Sequence, residues 1–142
     1  ILVHFWLLLG SNDGWLKYSS VLISMLTVLS LYYTAGRVYA RRVGLMSALF
    51  FAISPFAIFY ATQVRMYAWI MLLAVWSWYF TNRIIFSRGG IWTSLGLFAS
   101  LMGILYSHGA GFLIYIAIIL YAILDTFAPS ITAAPKDTRQ IN

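Results

Sequence analysis

The chain has 142 residues, of which 63% are hydrophobic and 8% are charged, with no cysteine and a formal net charge of +6. A water-soluble domain of this size cannot bury so much apolar surface, so the composition excludes that class and indicates a membrane protein. The lack of cysteine excludes disulfides and thiolate metal sites. The positive charge does not indicate a nucleic-acid partner, because the basic residues lie in short clusters between apolar runs.

The first residues, Ile1–Leu9, are apolar but too short to cross a bilayer at about 1.5 Å per residue. The chain does not start with methionine, and no basic segment opens it, so a signal peptide is not predicted and we expect a piece of a longer protein. A turn is predicted to follow, since Asp13-Gly14 is a strong turn dipeptide.

Five apolar segments come next, each close to the length of a membrane-spanning helix and each without a charge in its interior. They are Ser19–Gly36, Val43–Thr62, Met66–Asn82, Ile91–Ser107 and Gly109–Leu124. A helix ending at Ser54 would be only about 18 Å long, so we expect the second segment to be one helix kinked at Pro55. The sequence thus predicts an all-α integral membrane protein. Residues 1–142 form a single transmembrane domain with about five spans and a polar tail over 125–142, as part of a larger polytopic bundle.

Small residues recur along the fourth segment at helical spacing. Gly96, Ser100, Gly103 and Ser107 fall on one helix face. Such a stripe predicts that another helix approaches closely there.

The basic residues are distributed unevenly between the two sides of the membrane. Alternation through five spans puts Lys17, Arg65 and His108 on one side. The other side receives Arg37, Arg41, Arg42, Arg83, Arg88, Lys136 and Arg139. Because cytoplasmic loops carry the excess of lysine and arginine, the second side is predicted to be cytoplasmic and Arg65 to face the periplasm, exterior or lumen.

Arg65 is the strongest candidate site residue. One interpretation is an interfacial anchor whose stem lies along apolar surface; the other is a planar fork for a lipid-linked phosphate. Tyr60, Gln63 and Tyr67 would add hydrogen bonds, although both tyrosines also fit as ordinary interfacial aromatics. His108 lies on the same side and is either structural or a further substrate contact. No residue set has metal-ligand spacing, and we assign no catalytic residue and no cofactor; the need for a divalent metal stays open.

Three stretches between Phe5 and Phe112 resemble a known family. They are Ser54-Pro55 with Phe59-Tyr60-Ala61 and Gln63-x-Arg65-Met66-Tyr67; Trp6…Gly10…Asp13-Gly14-Trp15-Leu16-Lys17-Tyr18-Ser19; and Leu105-Tyr106-Ser107-His108. In order and spacing they resemble the polytopic membrane glycosyltransferases that use polyprenyl-phosphate sugars. This family includes protein mannosyltransferases and the bacterial aminoarabinose transferase of lipid A.

The resemblance implies an enzyme of the cell envelope, embedded in the lipid bilayer of a bacterial or archaeal plasma membrane. It would move a sugar from a polyprenyl-phosphate donor to a glycan, lipid or protein acceptor on the outer face. The family commonly has Glu where Gln63 stands, and its catalytic aspartate lies in a loop upstream of the stretch that matches residues 1–17. We therefore expect this piece alone to lack activity.

Two other functions compete with the enzyme. A non-catalytic membrane subunit or flippase-like lipid carrier would use the same basic turn only to hold lipid phosphates. A transporter or channel is disfavoured, because such proteins carry ionisable residues in mid-span and the five segments contain none.

Overall fold

The computed structural model of the chain describes residues 13–62, 67–87, 89–107 and 109–127. These residues form α1 (Asp13–Val38), α2 (Arg41–Ile53), α3 (Pro55–Thr62), α4 (Tyr67–Ser87), α5 (Ile91–Ser107), a 3-10 turn (Gly109–Gly111) and α6 (Phe112–Phe127). No strand occurs within the described ranges, so the all-α prediction is confirmed for them.

The first two helices form a close hairpin joined by Tyr39 and Ala40. A Cβ atom at Gly44 of α2 would overlap the carbonyl oxygen of Tyr32 and come within 2.7 Å of the backbone nitrogen of Gly36. Backbone atoms cannot move aside as a flexible side chain can. The hairpin is therefore possible only because glycine stands at position 44.

Helix α4 packs against α1, and the two run in the same direction. The indole nitrogen of Trp76 donates a hydrogen bond to Ser30 Oγ at 3.2 Å, and the rings of Tyr33 and Tyr79 lie 6.2 Å apart. Both pairs have the same offset in the sequence, as expected for two parallel helices in register. This register sets which ends of the two helices meet.

The predicted close approach along α5 is confirmed, and the partner is α4. A Cβ at Gly96 would lie 2.6 Å from the ring of Phe80, and one at Gly103 would lie 2.9 Å from Leu73 Cδ1. Between them, Ser77 Oγ and Ser100 Oγ lie 2.9 Å apart in a buried hydrogen bond. Small side chains let the two backbones approach until these hydroxyls meet.

Helix α6 is the least embedded element. The 3-10 turn precedes it, and Gly111 in that turn sits directly against Ile104 of α5. The hydroxyl of Tyr121 donates to Asn82 Oδ1 on α4 at 2.9 Å. Most other described side chains of α6 are exposed or half-buried, so it lies at the edge of the bundle.

The burial pattern is reversed relative to a water-soluble protein. Buried polar residues outnumber large buried apolar ones; they are Ser20, Thr27, Thr34, Ser77, Thr81, Asn82, Thr93 and Ser100. Large apolar side chains point outward instead, among them Leu29 and Phe50, which are 63% and 67% exposed. Helices surrounded by lipid show this arrangement. Apolar side chains are as stable facing hydrocarbon as they are when buried, and small polar residues form the contacts between helices.

By length and apolar character, one described helix qualifies as a membrane span, Tyr18–Val38. A second qualifies if Arg41–Ile53 and Pro55–Ala61 together form one broken span. Ile91–Ser107 and Phe112–Leu124 are apolar but shorter. Helix α4 is long enough at 21 residues, but its tyrosines, tryptophans, Asn82 and Arg83 reduce its apolar character. Five spans therefore stay a prediction.

Candidate functional site

Proline fixes the direction in which the chain approaches the candidate site. Pro55 disfavours the α-helical conformation for the residue before it, and Ser54 is extended, with φ −64° and ψ 124°. The carbonyl of Ser54 accepts a hydrogen bond from the Ile58 amide at 3.0 Å, which starts a new helix. The sequence predicts one kinked helix here; the structure has two helices at an angle of 63°.

The short helix α3 carries an aromatic cluster at its end. Tyr60 is at the centre: its ring lies 4.5 Å from that of Phe56 and 5.4 Å from that of Phe59. It also makes an edge-to-face contact with Tyr67 at 4.7 Å. Such aromatic pairs contribute about 0.5–1.5 kcal/mol beyond the area that they bury. The cluster thus joins the end of α3 to the first residue of α4.

Two of the five predicted site residues are brought together by this contact. Tyr60 and Tyr67 flank the segment 63–66 in the chain, and their rings touch. Gln63, Arg65 and His108 lie outside the described residues, so their roles stay predictions. Within the described ranges, no group of three His, Cys, Asp or Glu residues is placed to hold a metal ion.

A second cluster lies at the other end of α1 and α4, where the sequence alone predicts only loop charge. The guanidinium carbon of Arg37 lies 5.3 Å from the centre of the Tyr33 ring. On α4, Arg83 Nη1 donates to the hydroxyl of Tyr79 at 3.5 Å. In each helix the tyrosine precedes the arginine by four residues, a spacing that was visible in the sequence. The parallel packing that brings the two pairs together was not.

A groove of about 360 Å³ runs between α4 and α6. It is lined by Ala74, Trp78, Thr81, Leu113, Ile114, Ala117, Ile118 and Tyr121. Its two hydroxyl groups already donate elsewhere: Thr81 to the Ser77 carbonyl and Tyr121 to Asn82. The groove therefore offers mainly an apolar surface, suited to hydrocarbon rather than to a polar ligand.

The sequence matches the dolichyl-phosphate-mannose-protein mannosyltransferase family over residues 1–136. The chain belongs to this family. It has no significant match among curated proteins and none among solved structures. Dolichyl-phosphate-mannose-protein mannosyltransferases are embedded in membranes, which agrees with the exposed apolar surface described above. The family name indicates glycosyl transfer from a lipid-linked sugar, and the resemblance seen in the sequence is thereby confirmed.

Proposed function

We propose that the protein to which this chain belongs is a multi-pass membrane glycosyltransferase of the cell envelope. It transfers a sugar from a polyprenyl-phosphate donor to a glycan, lipid or protein acceptor on the non-cytosolic face. The observation that carries this proposal is the family match, which extends over residues 1–136. The outward-facing apolar side chains and the buried hydroxyls support the membrane setting.

In the proposed reaction, a nucleophilic oxygen of the acceptor attacks the anomeric carbon of the sugar. The bond between that carbon and the phosphate oxygen breaks, and polyprenyl phosphate leaves with the bonding electrons. A general base takes the proton of the acceptor; no residue of this chain is assigned that role. Negative charge develops on the phosphate in the transition state. A fixed positive group beside it stabilises that charge and lowers the barrier to sugar transfer.

We assign contact with that phosphate to Arg65, with Tyr60, Gln63, Tyr67 and His108 as weaker companions. Arginine suits the task because its planar group donates two parallel hydrogen bonds to phosphate oxygens. The contact between the rings of Tyr60 and Tyr67 supports the assignment, since it fixes both residues that flank the segment containing Arg65.

We assign the site to the extracytoplasmic face, because alternation through the five predicted spans puts Arg65 opposite the larger group of basic residues. A bilayer core is about 30 Å thick. From Tyr67 to Arg83 along α4 the distance is ~24 Å at about 1.5 Å per residue, which is consistent with the two clusters lying near opposite faces.

Sugar transfer by Arg65→Ala in the complete protein tests the assignment. Hydrogen bonds to a charged group contribute about 1.5–3 kcal/mol, so we expect a loss of about tenfold to hundredfold with expression retained. Arg65→Lys keeps the charge but not the paired hydrogen bonds, so its sugar transfer should lie between that of the unmodified protein and that of Arg65→Ala. Arg42→Ala is the control, because Arg42 is exposed at the far end of the bundle. Normal transfer by Arg65→Ala would overturn the role of Arg65.

The second candidate is a non-catalytic lipid carrier, which the apolar groove between α4 and α6 favours. A carrier would bind polyprenyl phosphate through the same arginine without cleaving the sugar. The two functions separate in one assay of the complete protein: the enzyme releases polyprenyl phosphate and glycosylates the acceptor, whereas the carrier leaves the donor intact.

A further inference from the structure

Two tyrosine–arginine pairs come together where α1 and α4 end side by side. The rings of Tyr33 and Tyr79 lie 6.2 Å apart across the helix contact. Arg37 stacks on the first ring and Arg83 donates to the hydroxyl of the second. Both arginines are exposed. Parallel packing thus holds two guanidinium groups around a single aromatic pair.

A third arginine at this end of the bundle also contacts a tyrosine: Arg41 Nε donates to the hydroxyl of Tyr32 at 3.0 Å. None of the side chains described for these helices is a carboxylate, so none of them neutralises these three charges. An exposed cluster of like charge is more favourable with an anion bound to it.

The tyrosine hydroxyl groups add hydrogen-bond donors to this charge. Each hydroxyl has one proton and two acceptor lone pairs. The hydroxyls of Tyr32 and Tyr79 accept N–H groups from Arg41 and Arg83. Neither bond uses the hydroxyl's own proton, so each hydroxyl keeps one proton to donate. The half-buried Tyr32 offers it to a ligand more readily than Tyr79, which is 7% exposed. The cluster therefore combines guanidinium and hydroxyl donors, the set that phosphate oxygens accept from.

The surroundings of the cluster are apolar. Leu29 and Val43, close to it on α1 and α2, are 63% and 43% exposed. The ring of Tyr33 itself is 46% exposed. A lipid can place its acyl chains on this surface and its headgroup at the arginines, whereas a soluble phosphate compound gains nothing from it. Tyrosine and arginine are also the side chains typical of the headgroup level.

We propose that Arg37, Arg83 and the tyrosines between them bind the phosphate of an anionic phospholipid. This site lies at the opposite end of α4 from Tyr67 and is separate from the proposed donor site. It would fix the position of α1 relative to α4 by bridging one arginine from each helix.

Native mass spectrometry of the complete protein in detergent tests the proposal. Binding of phosphatidylglycerol is compared with that of phosphatidylcholine carrying the same acyl chains. The variants are Arg37→Gln, Arg83→Gln and the double variant, and Arg42→Gln is the control with the same change in charge. Each variant is checked for folding by its thermal unfolding temperature; if Arg83→Gln fails to fold, Arg37→Gln and its control decide alone.

We expect each single variant to bind phosphatidylglycerol about fivefold more weakly, which corresponds to about 1 kcal/mol per basic residue near an anionic lipid. The double variant should lose about thirtyfold or more, while Arg42→Gln stays within about twofold and phosphatidylcholine binding is unchanged. Equal loss in Arg42→Gln would show only a general surface potential, and unchanged binding in Arg37→Gln would show no site. Displacement of the lipid by millimolar inorganic phosphate would show a site for soluble phosphate. Each of these three results overturns the proposal.

Discussion

Tyr60 and Tyr67 make an edge-to-face contact, with their ring centroids 4.7 Å apart, across the segment that contains Arg65. One residue lies in the last turn of α3 and the other begins α4, so the contact joins two helices that the chain connects through only a few residues. The proposed phosphate contact depends on this junction being held in place.

The first prediction concerns the rings of this pair. Tyr60→Ala, Tyr67→Ala and the double variant should show a coupling of about 0.5–1.5 kcal/mol in a double-mutant cycle, because either substitution alone removes the ring contact. The coupling is obtained from the free energies of unfolding of the purified variants in detergent. Tyr18→Ala is the control, since Tyr18 is 64% exposed. Strictly additive losses would contradict a stabilising contact.

The second prediction concerns the hydroxyl groups of the same pair. Tyr60→Phe and Tyr67→Phe keep the rings, so the ring contact and the stability that it contributes should be retained. Each should lower sugar transfer about threefold to tenfold, the effect of losing one neutral hydrogen bond of about 0.5–1.5 kcal/mol. Full transfer by both variants would mean that the tyrosines serve packing alone.

The third prediction concerns the hairpin of α1 and α2. Gly44→Ala places a methyl group against the backbone of Tyr32 and Gly36, and overpacking of this kind costs about 1–3 kcal/mol. We expect a lower unfolding temperature. Gly90→Ala is the matched control, since nothing lies within 4 Å of a Cβ at that position. Equal stability of the two variants would contradict the close approach.

The fourth prediction concerns the buried hydroxyl pair between α4 and α5. Ser77→Ala and Ser100→Ala should be coupled by about 0.6 kcal/mol, the average for hydrogen bonds between membrane helices. The cycle is measured by unfolding in detergent, with the exposed Ser94→Ala as control. Because Ser77, the donor of the pair, also donates to the carbonyl of Leu73 in its own helix, a coupling near zero would indicate that this intrahelical bond takes the proton.

The fifth prediction concerns the bend before α3. Spin labels at the exposed positions Val43 and Ile58 should move apart by about 3 Å in Pro55→Ala, if the 63° bend relaxes to a straight helix rising about 1.5 Å per residue. Ser54→Ala should leave the distance unchanged, because the proline still restricts position 54. If Pro55→Ala also leaves it unchanged, tertiary packing and not the proline imposes the bend.

Local patterns in the sequence predict the helices and their contact faces better than they predict which residues those faces pack against. The stripe through Gly96, Ser100 and Gly103 indicated a close helix contact, but only packing identifies Phe80 and Leu73 as the neighbours. The bend at Pro55 was expected from the restriction that proline places on the preceding residue, although a kink was predicted where the helix breaks completely.

The second cluster shows why part of the molecule was missed. The spacing of Tyr33 to Arg37 and of Tyr79 to Arg83 is local, and each pair could be read separately from the sequence. Their meeting depends on the register of α1 against α4, which many side chains determine together. No local pattern contains that information.

The central claim is that the segment containing Arg65 opens on the non-cytosolic side, opposite the Arg37 and Arg83 cluster. Because the chain has no cysteine, Thr62→Cys and Gly90→Cys each introduce one label site in it. A membrane-impermeant thiol reagent added to intact cells should label Thr62→Cys and leave Gly90→Cys unlabelled until the membrane is opened. Labelling of Gly90→Cys alone in intact cells would place Arg65 in the cytosol and contradict the proposed use of an externally presented lipid-linked sugar.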